Sequence, residues 1–445
     1  MKVDVLTVGG GPGGIIASVT AKKNYPEKNV LLVRKEEKAV VPCGIPYIFG
    51  TLDSVDKDIM SSAVLTNNGV DLLIDEVVDL NVEEKIVKTK GGKEISYDKL
   101  ILATGSQPIV LPIPGHELEG VWFVKKSYEY LSRLKEAIDA ANDIVIIGGG
   151  FIGVEFADEI AKKGKRVTIV EILPHLLGKA FDEEFCKVAE EELTKKGVKV
   201  LTGSKVKSIE GDGKVEKVVL DDGSEIKADV VIMSVGAKPE VSLAKKAGIK
   251  LGYTGAIEID TFMRTSAKDV FAVGDCAEHK CYLTDVGVCP MLASIAVAGA
   301  RLAGSNLYQI RVMKRTPESI SVFSTFVGET AFGSCGLTET MARSLGYDIV
   351  VGEFTGADKH PGTLPDTKKQ TVKLVVARSS GMLIGAQVMG GKSIGELINL
   401  LGLAIQEKLT AAELATTQIG THPLLTAPPT AYPVIMAALN VLSKL

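Results

Sequence analysis

The segment Val3-Asp4-Val5-Leu6-Thr7-Val8-Gly9-Gly10-Gly11-Pro12-Gly13-Gly14 decides the fold of this chain. Its first six residues are mostly β-branched, which predicts a buried strand, and the alanine-bearing residues 15–23 predict a helix after the turn. The spacing of Gly9, Gly11 and Gly14 permits a sharp turn, close approach of the main chain to a pyrophosphate, and tight packing of helix on strand. The segment therefore predicts a strand–turn–helix unit that binds a dinucleotide at the helix N-terminus.

The next strand, residues 29–33, is expected to end in an acid that binds the adenosine ribose. Arg34 and Lys35 come first, so the nearest acid is Glu36. We therefore predict Glu36 as the ribose ligand, and a solvated surface carboxylate is the alternative.

A second unit of the same kind begins with a strand over 144–147 and the turn Gly148-Gly149-Gly150-Phe151-Ile152-Gly153. It continues through a helix to a strand over 166–170, which ends at Glu171. A carboxylate at this place accepts both ribose hydroxyls and repels a 2′-phosphate. No arginine follows closely, so NADH is favoured over NADPH. Two such units imply two bound nucleotides, one that donates a hydride and one that accepts and holds it.

A lone cysteine lies between the two units, in Val41-Pro42-Cys43-Gly44-Ile45-Pro46-Tyr47. Gly44 lets the main chain approach a flat partner closely, and Pro46 suits the first turn of a helix whose amide dipoles favour a thiolate. We interpret Cys43 as a redox centre. The alternative is a small buried hydrophobic residue, which is the commoner role of a lone cysteine.

Composition narrows the class of protein. The 445 residues are 46% hydrophobic, enough for two or three domains with full cores. The net charge of −4 gives no basic surplus, so no nucleic-acid partner is indicated. Six scattered cysteines indicate a reducing compartment. Because the sequence has neither a signal peptide nor an apolar run of about 18 residues, we expect a cytoplasmic protein with no membrane partner.

These motifs together resemble the single-cysteine pyridine nucleotide–disulfide oxidoreductases. That family includes coenzyme A disulfide reductase, persulfide and polysulfide reductases, NADH oxidase and NADH peroxidase. Four motifs in the family's order carry the resemblance over essentially the whole chain: the two glycine turns, the segment around Cys43, and Thr265-Ser266-Ala267-Lys268-Asp269-Val270-Phe271-Ala272-Val273-Gly274-Asp275.

The resemblance implies an α/β fold with two Rossmann-like dinucleotide-binding domains, for FAD and NAD, and a C-terminal α+β dimerisation domain. The expected boundaries are 1–110 and 230–310 for the FAD-binding domain, 111–229 for the NAD(P)H-binding domain, and 318–445 for the interface domain. A homodimer follows from the last of these.

The resemblance also implies roles for cofactor-binding residues. Asp275 accepts hydroxyl groups of the flavin ribityl chain, with a helix-capping aspartate as the alternative. Phe151 shields the flavin until nicotinamide displaces it, with simple packing as the alternative, and Glu155 lies near the nicotinamide. The predicted cofactor-binding residues are Gly9, Gly11, Pro12, Gly14, Glu36, Pro42, Ala103, Thr104, Gly105, Gly148, Gly150, Phe151, Ile152, Gly153, Glu155, Glu171, Gly236, Gly274 and Asp275.

In related reductases the C-terminal region reaches the cysteine of the partner subunit. This chain carries His422-Pro423 without the glutamate of the two-cysteine members, and Tyr432 just beyond. Either side chain protonates a leaving thiolate, so both are predicted catalytic residues alongside Cys43. Lys22 and Lys23 are predicted to bind phosphate of a substrate such as coenzyme A.

His360-Pro361-Gly362 stands where the coenzyme A enzymes tend to carry a histidine and a tyrosine pair, and those tyrosines are absent. A metal site or a second exchanging thiol at Cys276, His279 and Cys281 is the alternative for that segment. Only Cys289 lies near enough to add a ligand, whereas zinc needs about four, so no metal is predicted.

We therefore predict an FAD-dependent NAD(P)H oxidoreductase that reduces a low-molecular-weight disulfide, persulfide or polysulfide through Cys43. The first alternative is an NADH oxidase or peroxidase that works through a cysteine sulfenic acid. The second alternative is a flavin reductase that passes electrons to a protein partner.

Overall fold

The computed structural model describes residues 1–315 and 318–445. Its strands in chain order are β1 Lys2–Val8, β2 Val30–Arg34, β3 Asp71–Ile74, β4 Val77–Asn81, β5 Ile86–Thr89, β6 Glu94–Leu102, β7 Ser106–Pro108, β8 Val121–Phe123, β9 Asp143–Ile147, β10 Arg166–Val170, β11 Lys199–Leu201, β12 Val206–Glu210, β13 Lys217–Leu220, β14 Glu225–Lys227, β15 Val230–Met233, β16 Ala237–Pro239, β17 Ile257–Glu258, β18 Val270–Ala272, β19 Ala277–Lys280, β20 Gly287–Val288, β21 Val322–Val327, β22 Thr330–Gly336, β23 Ile349–Ala357, β24 Lys369–Ala377 and β25 Leu383–Gly390.

Its α-helices are α1 Pro12–Asn24, α2 Ala63–Thr66, α3 Tyr128–Ala140, α4 Phe151–Ala161, α5 Glu183–Lys195, α6 Ser242–Lys246, α7 Ala293–Ser305, α8 Glu339–Ser344, α9 Ile394–Gln406, α10 Ala411–Ala415 and α11 Pro433–Leu442. The 3₁₀ helices are Pro42–Phe49, Val55–Asp58, Gly274–Cys276 and Pro429–Ala431. None of the described helices has the length and apolar character needed to cross a bilayer.

The described chain forms two compact units. The first unit comprises Met1–Ile109, Phe123–Asp139 and Gly236–Ser319, and the second comprises Val110–Trp122, Ala140–Val235 and Ile320–Leu445. The segments predicted as the nicotinamide and interface domains thus lie mostly in the second unit, except that residues 123–139 lie in the first. The three-domain boundaries themselves stay a prediction.

A mixed sheet forms the centre of the first unit. Its strand order is β3-β2-β1-β6-β5-β4, with β18 also paired to β6. Strands β3, β2, β1, β6 and β18 pair in parallel, whereas β5 and β4 join the edge antiparallel. Apolar side chains fill both faces, as expected for parallel strands covered on each side. Helices α1 and α7 pack tightly on one face, where a Cβ on Gly304 would lie 2.6 Å from the carbonyl oxygen of Ala17. This packing fixes the N-terminus of α1 above the end of β1.

The second unit contains three sheets, of which the antiparallel sheet β12-β13-β14 is the smallest. Parallel strands in the order β11-β10-β9-β15 carry the second nucleotide turn, and antiparallel strands in the order β21-β22-β25-β24-β23 form the C-terminal part. Helix α11 lies close on β23, since a Cβ on Gly352 would lie 2.3 Å from the carbonyl oxygen of Ala437. The sequence analysis predicted neither β23 nor α11.

Candidate active site

The first glycine turn has the tight contacts that its spacing predicts. Gly9 has a φ of +112°, and a Cβ there would lie 2.0 Å from the carbonyl oxygen of Ala103. A Cβ on Gly14 would lie 2.0 Å from the carbonyl oxygen of Gly9. Gly11, by contrast, faces open space and is the N-cap of α1, which begins at Pro12. The turn therefore leaves room for an anion at the amide groups of the first helical turn.

Arg34 lies beneath this turn at the end of β2. Its side chain packs against Gly10, where a Cβ would lie 2.4 Å from the Arg34 Cδ. Nε donates to the main-chain oxygen of Glu36 at 2.9 Å, and Nη2 donates to Glu37 O at 2.9 Å and to Ser62 Oγ at 2.7 Å. The buried Nη1 has no hydrogen-bond partner within residues 1–315 and 318–445. Arg34 thus brings an unused donor to the nucleotide turn.

Glu171 occupies the matching place in the second unit. Its Cβ and Cγ pack against Gly149, and its carboxylate accepts the N–H groups of Gly149 and Leu173. The first unit thus has a guanidinium, Arg34, where the second has a carboxylate. Arg34 was not predicted as a site residue, because an acid was expected at this place. Its position directly after the predicted strand is the sequence feature that could have identified it. Glu36 is half-buried beside it and stays a prediction as the ribose ligand.

The second glycine turn repeats the geometry of the first. Gly148 has a φ of +108°, and a Cβ on Gly153 would lie 1.9 Å from the carbonyl oxygen of Gly148. Gly150 has open space and is the N-cap of α4. A second pyrophosphate therefore fits this turn for the same reasons.

Asp275 is held by two polar side chains that the sequence analysis did not single out. Its Oδ2 accepts a hydrogen bond from Ser106 Oγ at 2.7 Å and from Lys126 Nζ at 2.9 Å. In the part of the chain that the structure describes, no hydrogen bond reaches Oδ1. Asp275 therefore does not cap a helix, and one oxygen stays available to accept hydroxyl groups of a sugar alcohol.

Cys43 lies in the first turn of the 3₁₀ helix Pro42–Phe49 and is exposed to solvent. The prediction that Pro46 lies in the first turn of this helix was wrong. Pro42 takes the first helical position, where its missing N–H costs nothing, and Pro46 lies inside the helix. Cys43 itself therefore lies in the turn whose amide groups favour a thiolate.

Glu155 and Phe151 both face the C-terminal sheet of their unit. Thr325 Oγ1 donates to Glu155 Oε1 at 2.9 Å, and burial raises the pKa of Glu155 to about 7. The Phe151 ring stacks on Phe323 at a centroid distance of 5.2 Å. A carboxyl group that titrates near neutrality suits proton transfer. The flavin-shielding role of Phe151 stays a prediction.

Two histidine–proline segments, far apart in sequence, lie side by side in the second unit. The His360 N–H donates to Pro423 O at 3.1 Å, and His360 Nδ1 lies 3.1 Å from Thr426 O. Because a carbonyl oxygen only accepts, His360 carries a proton on Nδ1. His422 is exposed, and its Nδ1 accepts the N–H of Leu424 at 3.3 Å. A neutral His422 therefore carries its proton on Nε2, where it can be donated.

Tyr432 is the N-cap of α11 and is half-buried. Burial raises the pKa of its hydroxyl group above the ordinary tyrosine value. It is therefore a weaker acid than an ordinary tyrosine.

Comparison with known proteins decides the family. Residues 3–300 match the family model described as pyridine nucleotide-disulphide oxidoreductase, and residues 322–432 match the dimerisation domain of that family. This chain belongs to the pyridine nucleotide-disulphide oxidoreductases. The predicted α/β fold, with two Rossmann-type domains and a C-terminal dimerisation domain, is thereby confirmed.

Relatives within the family carry two kinds of name. An NADH oxidase of Methanocaldococcus jannaschii is 31% identical over 456 residues and covers 99% of each chain. An NAD(P)H coenzyme A polysulfide/persulfide reductase of Pyrococcus horikoshii is 34% identical over 406 residues and covers 88% of each. The solved NAD-dependent persulfide reductase from A. fulgidus has a TM-score of 0.93 at 30% identity, covering 100% of this chain and 83% of its own.

The cofactors of a pyridine nucleotide-disulphide oxidoreductase fit the residues of this chain. Gly11 and Gly150 each leave open space at a helix N-terminus, where main-chain N–H groups bind a pyrophosphate. Asp275 offers an acceptor oxygen, and Arg34 offers a buried donor. This chain is an NAD(P)H-dependent FAD oxidoreductase.

The predicted phosphate-binding lysines of this oxidoreductase lie at the end of α1. Lys22 Nζ donates to the carbonyl oxygens of Pro26 at 2.9 Å and Lys28 at 2.7 Å, and Lys23 is exposed. Lys22 thus closes the loop after α1. Its role toward a substrate phosphate stays a prediction.

Four of the other five cysteines of the oxidoreductase lie in less reactive surroundings. Cys186, Cys276 and Cys335 are buried, and burial raises the pKa of Cys186 and of Cys289 to about 12. A thiol with a raised pKa is a poor nucleophile at neutral pH. Among the described residues, no group of three or more His, Cys, Asp or Glu side chains could hold a metal ion.

Proposed function

We propose that this oxidoreductase passes two electrons from NADH, through bound FAD, to the sulfur–sulfur bond of a low-molecular-weight disulfide, persulfide or polysulfide. The observation that carries the proposal is the exposed Cys43 in the first turn of a helix, within the unit that contains the first nucleotide turn. The named activities of the Pyrococcus horikoshii and A. fulgidus relatives support the same substrate class.

The chemistry follows from having one reactive thiol. The Cys43 thiolate attacks one sulfur of the acceptor, a new S–S bond forms to Cys43, and the other sulfur leaves as a thiolate that takes up a proton. FAD, when bound, would supply the two electrons taken from NADH. Those two electrons break the Cys43–sulfur bond, so that Cys43 returns as a thiolate and the second sulfur leaves as a thiol once protonated.

We further propose His422 as the proton donor, in preference to Tyr432. The neutral His422 ring presents its proton on Nε2, whereas burial holds the pKa of Tyr432 above its ordinary value. His360 acts as a positioning residue. Its two hydrogen bonds, to the carbonyl oxygens of Pro423 and Thr426, hold the loop that follows His422. In a homodimer, His422 in this loop would donate its proton at Cys43 of the partner subunit.

His422→Asn is expected to lower kcat by about a hundredfold, since general acid catalysis contributes at least that factor. Added imidazole should restore part of the lost rate, which a structural role would not allow. Tyr432→Phe is the matched variant and should leave kcat nearly unchanged. Steady-state assays of both variants with polysulfide make the measurement, and the reverse ranking of the two would contradict the assignment.

We propose NADH as the preferred nucleotide because Glu171 places a buried carboxylate at the second turn. The value of kcat/KM should be higher for NADH than for NADPH, because the carboxylate repels a 2′-phosphate. Glu171→Ala leaves the N–H groups of Gly149 and Leu173 to bind that phosphate, and should raise the NADPH-to-NADH ratio of kcat/KM by about tenfold. An unchanged ratio would refute the role of Glu171.

Reduction of oxygen or peroxide is the second candidate, favoured by the NADH oxidase of Methanocaldococcus jannaschii. In that reaction the Cys43 thiolate attacks peroxide and breaks its O–O bond, giving a sulfenic acid and hydroxide, which takes up a proton. Two electrons from NADH and one proton then regenerate the thiolate, and the sulfenic oxygen leaves as water. A comparison of kcat/KM for polysulfide, coenzyme A disulfide, peroxide and oxygen separates the candidates. The proposed function requires the highest value with one of the sulfur compounds.

A further inference from the structure

A buried carboxyl group lies directly against the peptide that follows Cys43. Asp58 ends the 3₁₀ helix Val55–Asp58, and only 4% of the residue is exposed. A Cβ added to Gly44 would lie 1.8 Å from Asp58 Oδ1, so the carboxyl group rests on the Gly44 main chain. The Val41 N–H donates to Asp58 O at 2.8 Å, which joins the two helices just before Cys43.

This carboxyl group has no compensating charge. Its Oδ2 is buried without a hydrogen-bond partner in residues 1–315 and 318–445. Burial alone raises the pKa of Asp58 to about 6. A buried polar oxygen with no partner is costly and calls for an explanation.

The charged and titratable groups around Asp58 come from two helices. The helix that rests on it contributes Cys43 and Tyr47, and its own helix contributes Asp56 and Lys57, both exposed. Asp56 is paired with Lys38 at 3.1 Å and accepts from Tyr128 at 2.8 Å. No ammonium or guanidinium group of the described chain forms an ion pair with Asp58.

Asp58 is close enough to Cys43 for their charges to interact. Consecutive Cα atoms are about 3.8 Å apart, so Asp58 Oδ1, in contact with Gly44, lies within roughly 7 Å of the Cys43 Cα. Two negative charges at such a distance disfavour each other, and a partly buried pair is only weakly screened. Ionised Asp58 and a Cys43 thiolate therefore oppose one another.

We propose that Asp58 and Cys43 share one negative charge, so that Asp58 takes up a proton when Cys43 becomes a thiolate and releases it when Cys43 enters an S–S bond. The proton comes from solvent and returns to it, and no electrons pass through Asp58. The inference rests on the proposed function only in that Cys43 is the redox thiol. Asp58 is a positioning residue in this account, since it acts through the charge state of Cys43.

The test is the rate of Cys43 alkylation by iodoacetamide as a function of pH, with the modified peptide identified by mass spectrometry on the FAD-loaded protein. Asp58→Asn should move the profile to lower pH and raise the rate on its acidic side by about tenfold. Asp56→Asn is the matched control, because it removes the same charge from an exposed position of the same helix. Asp56→Asn should give the same pH profile of Cys43 alkylation as the wild type.

A second measurement does not depend on the folding of that variant. The infrared difference spectrum of the wild type, reduced minus Cys43 mixed disulfide, should contain the C=O stretch of a protonated carboxyl group. The same treatment of Cys43→Ser should give no such band. A wild-type spectrum without the band would overturn the proposal.

Failure of the shared charge and failure of the proposed function give different results in these experiments. Poor turnover of every sulfur acceptor would contradict the proposed function and leave the alkylation shift intact. An Asp58→Asn profile identical to that of the wild type would overturn the shared charge. Loss of FAD from Asp58→Asn with an unchanged profile would likewise overturn it and make Asp58 a cofactor-binding residue.

Discussion

Cys43→Ser is expected to lower the turnover of polysulfide or a low-molecular-weight disulfide by about a thousandfold or more, as loss of a nucleophile does in other enzymes. Reduction of FAD by NADH should persist, because that step does not require the Cys43 thiol. Stopped-flow absorbance of the flavin measures the first half-reaction, and steady-state NADH consumption measures the whole.

Cys281→Ser is the control for this variant. Cys281 is half-exposed, whereas Cys276 and Cys335 are buried, so it is the appropriate test of non-specific loss of a thiol. It should retain wild-type turnover. If Cys43→Ser kept full electron transfer to a protein acceptor, the thiol mechanism would be wrong and the enzyme would be a flavin reductase for a protein partner.

Two alanine substitutions in the first glycine turn should separate folding from cofactor binding. Gly14→Ala places a Cβ 2.0 Å from the carbonyl oxygen of Gly9, and this main-chain contact cannot relax cheaply. We expect it to lower the free energy of unfolding by roughly 1–3 kcal/mol. Gly11→Ala meets no atom within 4 Å and has an ordinary φ of −75°, so the fold should be unaffected.

Gly11→Ala should nevertheless lose FAD. Its methyl group enters the space that the pyrophosphate needs at the N-terminus of α1, and we expect the Kd for FAD to rise by about a hundredfold, equivalent to about 2.7 kcal/mol. Thermal unfolding of the apoprotein and the ratio of flavin to protein absorbance measure the two effects. A Gly11→Ala enzyme that keeps a full complement of FAD would show that the turn does not bind the pyrophosphate.

The nucleotide units were predictable because their rules are local. The strand before Gly9, the turn and the following helix lie within 24 residues, and the required contacts follow from glycine spacing alone. The same holds for the turn from Gly148 to Gly153. The error at Pro46 was also local, because Pro42 satisfied the rule for a first helical position equally well.

Other parts of the site depend on contacts between distant segments. Lys126 and Ser106 meet at Asp275 although they lie 149 and 169 residues from it in sequence. Similarly, His360 Nδ1 lies 3.1 Å from Thr426 O although the two residues are 66 positions apart in sequence. No local pattern encodes such pairings, because they depend on how whole elements pack.

The position of Arg34 illustrates a third case. The strand was predicted over 29–33 and is observed over Val30–Arg34, one residue later at each end. The expectation of an acid at its end led to the prediction of Glu36. The contacts of Gly10 and Gly149 identify Arg34 as the counterpart of Glu171, in agreement with the position of each residue directly after its predicted strand.

The most direct test of the central claim is anaerobic reoxidation of the NADH-reduced enzyme, followed in the flavin spectrum. Wild type and Cys43→Ser are each mixed with polysulfide, with coenzyme A disulfide, or with oxygen. The account predicts fast reoxidation of the wild type by a sulfur compound, slow reoxidation by oxygen, and no sulfur-dependent reoxidation of Cys43→Ser. Fast reoxidation by oxygen alone, or sulfur-dependent reoxidation of Cys43→Ser at the wild-type rate, would contradict it.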